Sequence, residues 1–190
     1  MKRINLQRLL LIIVMAILLC SCNRQKSGDG RTWEKADQDL WISNTGDLAI
    51  KAFGASETES RNEMVFIDTF SNRKTLKSVI DRMSFAFLGS SFYKDKYHVY
   101  NHHDTSDGGT FLIEARADPS TFVIVGDCYA KDKNHVHLEN FGELGIVDYK
   151  SFKTKKGIGC FERDRVGIYN WDQKVDSSHP DFKSITKELN

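Results

Sequence analysis

The chain is poor in several features that would commit a protein to a class. Two prolines and 13 glycines among 190 residues exclude a collagen-like or proline-rich chain. Twenty-seven Lys and Arg against 26 Asp and Glu leave a formal charge of +1, so the charge excess of a nucleic-acid binder is missing. No Gly-Lys-Ser/Thr sequence is present, and Asp107-Gly108-Gly109 is a turn signal, not a phosphate-cradling loop. The apolar run Leu9 to Leu19 has 11 residues, where a membrane-spanning helix needs about 20. What remains is 40% hydrophobic and 28% charged, enough for one ordinary core or a short array of small repeats, and wholesale disorder is excluded.

Lys2, Arg3 and Arg8 flank or precede that apolar run, and Leu19-Cys20-Ser21-Cys22 follows it. Residues 1–21 therefore read as a signal segment. The four residues resemble a bacterial lipobox, with Leu at −3 and a small Ser before Cys22. Cys20 fits less well because bulky Leu19 would precede it. The resemblance implies lipidation of Cys22 and a tether to the cell envelope, the acyl chains supplying the affinity for the membrane. The alternative is an ordinary secretory cleavage site with two incidental cysteines. Cleavage removes three basic and no acidic residues, taking the formal charge from +1 to −2. No basic patch for DNA, RNA or anionic lipid is then left. Asn23, not Asp, follows the lipid cysteine, which favours the outer membrane over the inner. Residues 22–32 are polar and glycine-containing, a flexible tether.

Residues 33–80 form an N-terminal segment. Leu40 to Ile50 reads as a hairpin around Asn44-Thr45-Gly46-Asp47. Gly54 to Glu63 reads as a loop and Met64 to Ile67 as a strand. Leu76, Val79, Ile80 and Met83 recur at helical spacing, which predicts a short amphipathic helix over Thr75 to Met83. From residue 81 the chain repeats three times. Asp81-Arg-Met-Ser-Phe85 leads to Phe92-Tyr-Lys-Asp95-Lys-Tyr-His-Val99-Tyr100. Asp118-Pro-Ser-Thr-Phe122 leads to Tyr129-Ala-Lys-Asp132-Lys-Asn-His-Val136-His137. Asp148-Tyr-Lys-Ser-Phe152 leads to Phe161-Glu-Arg-Asp164-Arg-Val-Gly-Ile168-Tyr169, with two extra residues between its halves. Asp-x-x-Ser/Thr predicts a tight helical turn. The following Phe enters the core, and Asp95, Asp132 and Asp164 sit at hairpin turns. Alternation predicts aromatics inward and Lys/Arg outward. One unit cannot bury its own apolar face, so the units stack. The expected fold is mainly β: hairpin or meander repeats over 81–175, short helical turns, the one amphipathic helix before them, and a C-terminal tail, 176–190, that is a candidate short helix.

The segment Tyr129-Ala-Lys-Asp132-Lys-Asn-His-Val136, with Asp118-Pro-Ser-Thr-Phe122 upstream, resembles the DKNYY family. The resemblance covers Asp81 to Trp171. The first copy departs from it at Tyr97 and the third at Arg165 and Val166. Val99-Tyr100, Val136-His137 and Ile168-Tyr169 stand where the family often has Tyr-Tyr. What it implies is a repeat architecture and an envelope location; it implies no reaction and no catalytic residues.

Other polar groups are weighed against that background. A row of carboxylates at Asp95, Asp132 and Asp164 would suit a cation, but calcium loops gather their ligands within about 12 residues, and bases flank each Asp here. Turn formation is the reading adopted. His102-His103-Asp104 and His135-x-His137 each offer ligands, and residues two apart on a strand share a face. No third ligand has telling spacing, so no metal or other cofactor is assigned. Cys128 and Cys160 occupy one repeat position. They pair if the copies lie side by side in register, and are buried free thiols if a strand intervenes. A Cys nucleophile beside His135 or His137 lacks an orienting group. Trp41 or Trp171 would suit a sugar platform, with core or hairpin packing as the commoner role. The sequence thus favours a non-enzymatic envelope module that binds a protein or glycan. The rival is an envelope hydrolase with its site between the N-terminal segment and one repeat.

Overall fold

The computed structural model describes residues 25–26, 29–37, 39–51, 61–67, 72–103, 105 and 109–190. Cys22, the lipobox, residues 23, 24, 27 and 28 of the expected tether, and Asp104 lie outside them. The chain is mainly β, as its sequence predicts. Strands β1 (Gln25–Lys26), β2 (Thr32–Asp37), β3 (Leu40–Ser43), β4 (Leu48–Lys51) and β5 (Arg61–Asn62) form one antiparallel sheet in chain order. Gln25 and Lys26, expected within the tether, pair with Trp33 and Thr32. The hairpin at residues 40–50 forms because Ser43 Oγ accepts from the N–H groups of Thr45 and Asp47, at 3.2 and 2.9 Å. That closes the Asn-Thr-Gly-Asp turn.

Next come β6 (Met64–Phe66), β7 (Arg73–Thr75) and α1 (Leu76–Val79). The helix is one turn long, shorter than its periodicity predicts. Ile80 N–H still reaches Leu76 O at 2.8 Å, but Asp81 already opens the next turn, in which Ser84 N–H bonds Asp81 O at 3.2 Å. Met83, expected on the buried face, is 93% exposed. The first repeat contributes β8 (Ala86–Gly89), β9 (Phe92–Lys94), β10 (Val99–His103) and β11 (Thr110–Ile113). Strand β11 pairs in parallel with β6, giving a six-stranded sheet β7-β6-β11-β10-β9-β8. The segment boundary read from the sequence after residue 80 therefore runs through a sheet. The second repeat is the meander β12 (Val123–Ile124), β13 (Tyr129–Lys131), β14 (Val136–Leu138) and β15 (Gly142–Glu143). The third is β16 (Phe161–Arg163), β17 (Ile168–Asn170) and β18 (Gln173–Val175), preceded by a bridge from Lys153 to Arg163 and followed by α2 (Phe182–Glu188). Among the described residues no helix is long and apolar enough to cross a membrane.

The repeats stack, and each boundary has its own apolar cluster. Leu40, Ile50, Leu76, Phe85, Tyr93, Tyr100 and Phe111 join the N-terminal segment to the first copy. Phe92, Val99, Phe122 and Ala130 join the first to the second. Tyr129, Val136, Leu138 and Phe152 join the second to the third. Ile168 and Val175 meet Ile185 and Leu189 around α2, which covers the end of the stack. The joint is repeated in detail: the Phe after each Asp-turn meets the leading aromatic of the copy before it edge-on. Phe122 lies 5.3 Å from Phe92, and Phe152 lies 5.5 Å from Tyr129. Gly126, at φ +109°, lets the second copy approach the third, since a Cβ there would stand 2.9 Å from Thr154 Oγ1.

Strands β9, β10, β13 and β14 are buried on both faces, which corrects the expected alternation there. Residues two apart share a face, so Phe92 and Lys94 both point to the next copy. Lys94 Nζ reaches Pro119 O at 3.1 Å and Lys131 Nζ reaches Tyr149 O at 3.3 Å. Arg163, at the equivalent position, bonds the side-chain oxygen of Asn190. The long stems bridge the apolar boundary while the charged heads meet carbonyls at its rim.

Candidate functional site

Each repeat holds its turn aspartate in the same way. Asp95 Oδ1 accepts from Tyr97 and His98 N–H, both at 2.7 Å, and Oδ2 from Asp81 N–H at 2.8 Å. Asp132 accepts from Asn134 and His135 at 2.7 Å and from Asp118 at 2.9 Å. Asp164 accepts from Val166, Gly167 and Asp148 at 2.7, 3.0 and 2.7 Å. All three carboxylates are buried. The spacing Asp-x₃-Phe…aromatic-x₂-Asp thus encodes a double turn: the late Asp clamps its own hairpin and the backbone of the early Asp. Ser84, Thr121 and Ser151 complete the clamp by accepting from Lys96, Lys133 and Arg165 N–H. Their flanking bases pair with the early aspartates: Lys96 with Asp81 and Lys133 with Asp118 at 2.8 Å, and Arg165 with Asp148 at 3.4 Å. Lys96 and Lys133 hold the carboxyls of Asp81 and Asp118 below the usual range.

These double turns form a ridge, because Lys94 and Lys131 tie each copy to the turn of the next. Its tips are exposed: Tyr97 at 62% and Val166 at 54% hold one repeat position, with Asn134 between them in sequence, while Met83 stands on the adjacent turn. Sequence reading did not single out these tips: it placed Met83 on the apolar face of a helix and read the turns only for their aspartates. The usable signal was an aromatic or apolar residue where the second copy has Asn or Ser.

Cys128 and Cys160 are joined in a disulfide with their Cα atoms 5.2 Å apart. Their carbonyls play equivalent parts, accepting from Glu139 and Trp171 N–H, both at 2.9 Å. Trp41 and Trp171, for which core or hairpin packing is the favoured role over a sugar platform, are half-buried. Arg61 lies over Trp41 at 4.5 Å, and Trp171 meets Phe141 at 5.9 Å and packs on the core between the second and third copies.

The second copy departs from the first beside its turn. In the first, Tyr100 hydroxyl donates to Asp95 Oδ2 at 2.8 Å and stands 3.4 Å from His98 Nδ1. In the second, His137 takes the tyrosine position. Its ring is fully buried, and neither nitrogen makes a hydrogen bond. Nε2 lies 3.7 Å from Asp132 Oδ2, and Nδ1 lies 3.6 Å from Glu114 Oε2. His135 Nδ1 is 3.5 Å from the same Asp132 oxygen. One ligand atom each from Asp132, His135 and His137 falls within 4.8 Å of the others. The third member that the spacing of histidines did not supply is therefore the turn aspartate itself. Burial pushes the Asp132 carboxyl upward, but the N–H groups of Asn134, Asp118 and His135 outweigh it and hold the group below its ordinary value. Cys128, Glu139 and Cys160 also cluster, but there the two sulfurs are bonded to each other.

A groove of about 310 Å³ lies between the N-terminal segment and the repeats, lined by Phe66, Ile67, Leu112, Ile113, Arg116 and Phe141 among others. Its carboxylates are engaged: Glu114 accepts from Asn101 at 2.9 Å, and Glu143 pairs with Arg116 at 3.4 Å. Neither Cys, Ser nor His lines it. Comparison of the chain with family models, with curated proteins and with solved structures finds no match in any of the three.

Proposed function

We propose that the chain is an envelope lipoprotein, lipidated at Cys22 and held at the outer membrane, whose DKNYY-like repeats form a non-catalytic module for binding or scaffolding a protein or glycan. The observation that carries this reading is the ridge of double turns. It is a shallow face built from equivalent positions of successive copies, and it exposes Met83, Tyr97 and Val166. Exposed apolar side chains grouped on one face mark interaction surfaces. Backbone N–H groups hold each of the three turn aspartates, so the part common to all the copies is structural. A hydrolase would use the groove beside the N-terminal segment, and its engaged carboxylates favour binding over catalysis there.

The test exchanges the tips for the residues that the second copy carries: Met83→Ser, Tyr97→Asn and Val166→Asn together. Full chain and triple variant are used to capture partners from envelope extract. The variant keeps its melting temperature and loses the captured species. An identical captured set from both proteins would remove the ridge from the reading. The address is tested separately: palmitate incorporation is expected in the native chain and lost in Cys22→Ser, whereas a product starting elsewhere without acyl chains overturns it.

A further inference from the structure

We propose that Asp132, His135 and His137 bind Zn²⁺, a site present in the second copy alone among the three repeats. Zinc takes nitrogen and oxygen ligands at about 2.0–2.2 Å, so two ligands of a tetrahedral ion stand about 3.4 Å apart. Asp132 Oδ2 lies 3.5 Å from His135 Nδ1 and 3.7 Å from His137 Nε2, close to that edge length. A second, independent observation points to a ligand. His137 is wholly buried with both ring nitrogens lacking a hydrogen bond, an arrangement that costs free energy unless something satisfies it.

The surroundings select the right ring face. Glu114 Oε2 stands 3.6 Å from His137 Nδ1 and is itself fixed by Asn101. A carboxylate there favours the proton on Nδ1 and leaves the Nε2 lone pair toward Asp132 and His135, the arrangement typical of zinc-bound histidine. The ring also packs with Phe122, their centroids 5.1 Å apart, which helps fix its orientation. His135, with 27% of its side chain exposed, opens the cluster to solvent and gives an ion its way in. The bases beside the aspartate are turned elsewhere: Lys133 pairs with Asp118 at 2.8 Å, and Lys131 bonds Tyr149 O at 3.3 Å. The first copy supplies an internal control. There Tyr100 hydroxyl stands between Asp95 and His98 and hydrogen-bonds the carboxylate directly. The third has Gly167 and Tyr169 in place of the two histidines.

The full chain, purified in detergent with its disulfide intact, is titrated with ZnCl₂ by calorimetry and followed by thermal melting. One Zn²⁺ per chain and a saturable rise in melting temperature are expected, with an X-ray absorption edge reporting two imidazole nitrogens and a carboxylate oxygen. His137→Tyr, which installs the arrangement of the first copy, and His135→Ala, at a half-buried position, each abolish the saturable phase. Glu114→Gln weakens it about tenfold. His103→Ala, at an exposed position, leaves it unchanged. Zinc affinity retained in both His135→Ala and His137→Tyr, stabilisation by Ca²⁺ in place of Zn²⁺, or no saturable Zn²⁺ binding by the native chain each overturn the site.

Discussion

Glu162 sits at the centre of β16, on the face turned toward the second copy, where the first two copies have Tyr93 and Ala130. It is fully buried and neither carboxylate oxygen has a hydrogen-bond partner. Burial, with the nearby charge of Asp164 second, pushes its carboxyl up to about 8 from an ordinary value of 4.5. The folded chain thus holds a proton that the unfolded chain releases above pH 4.5. With one more proton on the native state, stability falls as pH rises across this window, by 2.303RT or roughly 1.4 kcal/mol per unit in its middle. The contribution is whole below the unfolded value and spent once pH passes the folded one. Integrated from pH 5 to pH 8, the loss is about 3.5 kcal/mol. Glu162→Gln keeps the shape and removes the proton. Urea unfolding of both proteins at half-unit steps from pH 5 to 8.5 isolates the difference from every other titrating group. The native chain should lose about 4 kcal/mol relative to the variant over that range, and its Glu162 carboxyl carbon should titrate near pH 8 by NMR. A free-energy difference between the two proteins that stays constant with pH would refute the reasoning. The carboxyl would then be hydrated or otherwise satisfied in the folded state.

Two further outcomes follow from the scaffold. Reducing the Cys128–Cys160 bond, or replacing both residues by Ser, frees a loop with a sequence separation of 32. It should lower stability by about 3–4 kcal/mol on the chain-entropy account, read as a fall in melting temperature on adding a phosphine reductant; an unchanged midpoint would mean that the copies are held without it. Asp164→Ala strands the N–H groups of Val166, Gly167 and Asp148 in a buried turn. It should cost at least about 3 kcal/mol by denaturant titration, and a loss under 1 kcal/mol would show that the clamp contributes little.

Much of the fold was legible because its determinants are local. The spacing between early and late aspartates is set by one double turn, and the Phe that follows by one apolar joint, so both recur in the sequence. The disulfide was legible only conditionally, since Cys128 and Cys160 meet because adjacent copies stack in register, a tertiary fact. The helix at residues 75–83 was overestimated because four apolar residues fit its period while Asp81 belongs to the next turn, and periodicity alone cannot say which claim wins. The union of β11 with β6 is a pairing across more than 40 residues that includes parallel strands, and nothing in either short strand announces it. Burial of both strand faces was hidden by a simple error of register: Lys94 was read as outward when it shares a face with Phe92.

The residues whose buried setting was not legible in the sequence have something in common. The clamp aspartates and the joint phenylalanines are the same in all three copies because each must do the same structural work. The cross-strand pair behind each turn is not: Tyr93 faces Tyr100, Ala130 faces His137, and Glu162 faces Tyr169. That pair points into the boundary with the preceding unit, where the turn and the apolar joint already hold the geometry. A polar or titratable group can stand there without unmaking the hairpin, because the clamp supplies the stability that the pair gives up. The first copy uses the position to bond its aspartate with a hydroxyl, the second places an imidazole beside the carboxylate, and the third buries an acid. Chemistry in a stacked repeat should therefore be sought where otherwise similar copies differ at one buried pair. By that argument the histidines of the second copy and the acid of the third are the positions from which this chain departs from mere scaffolding.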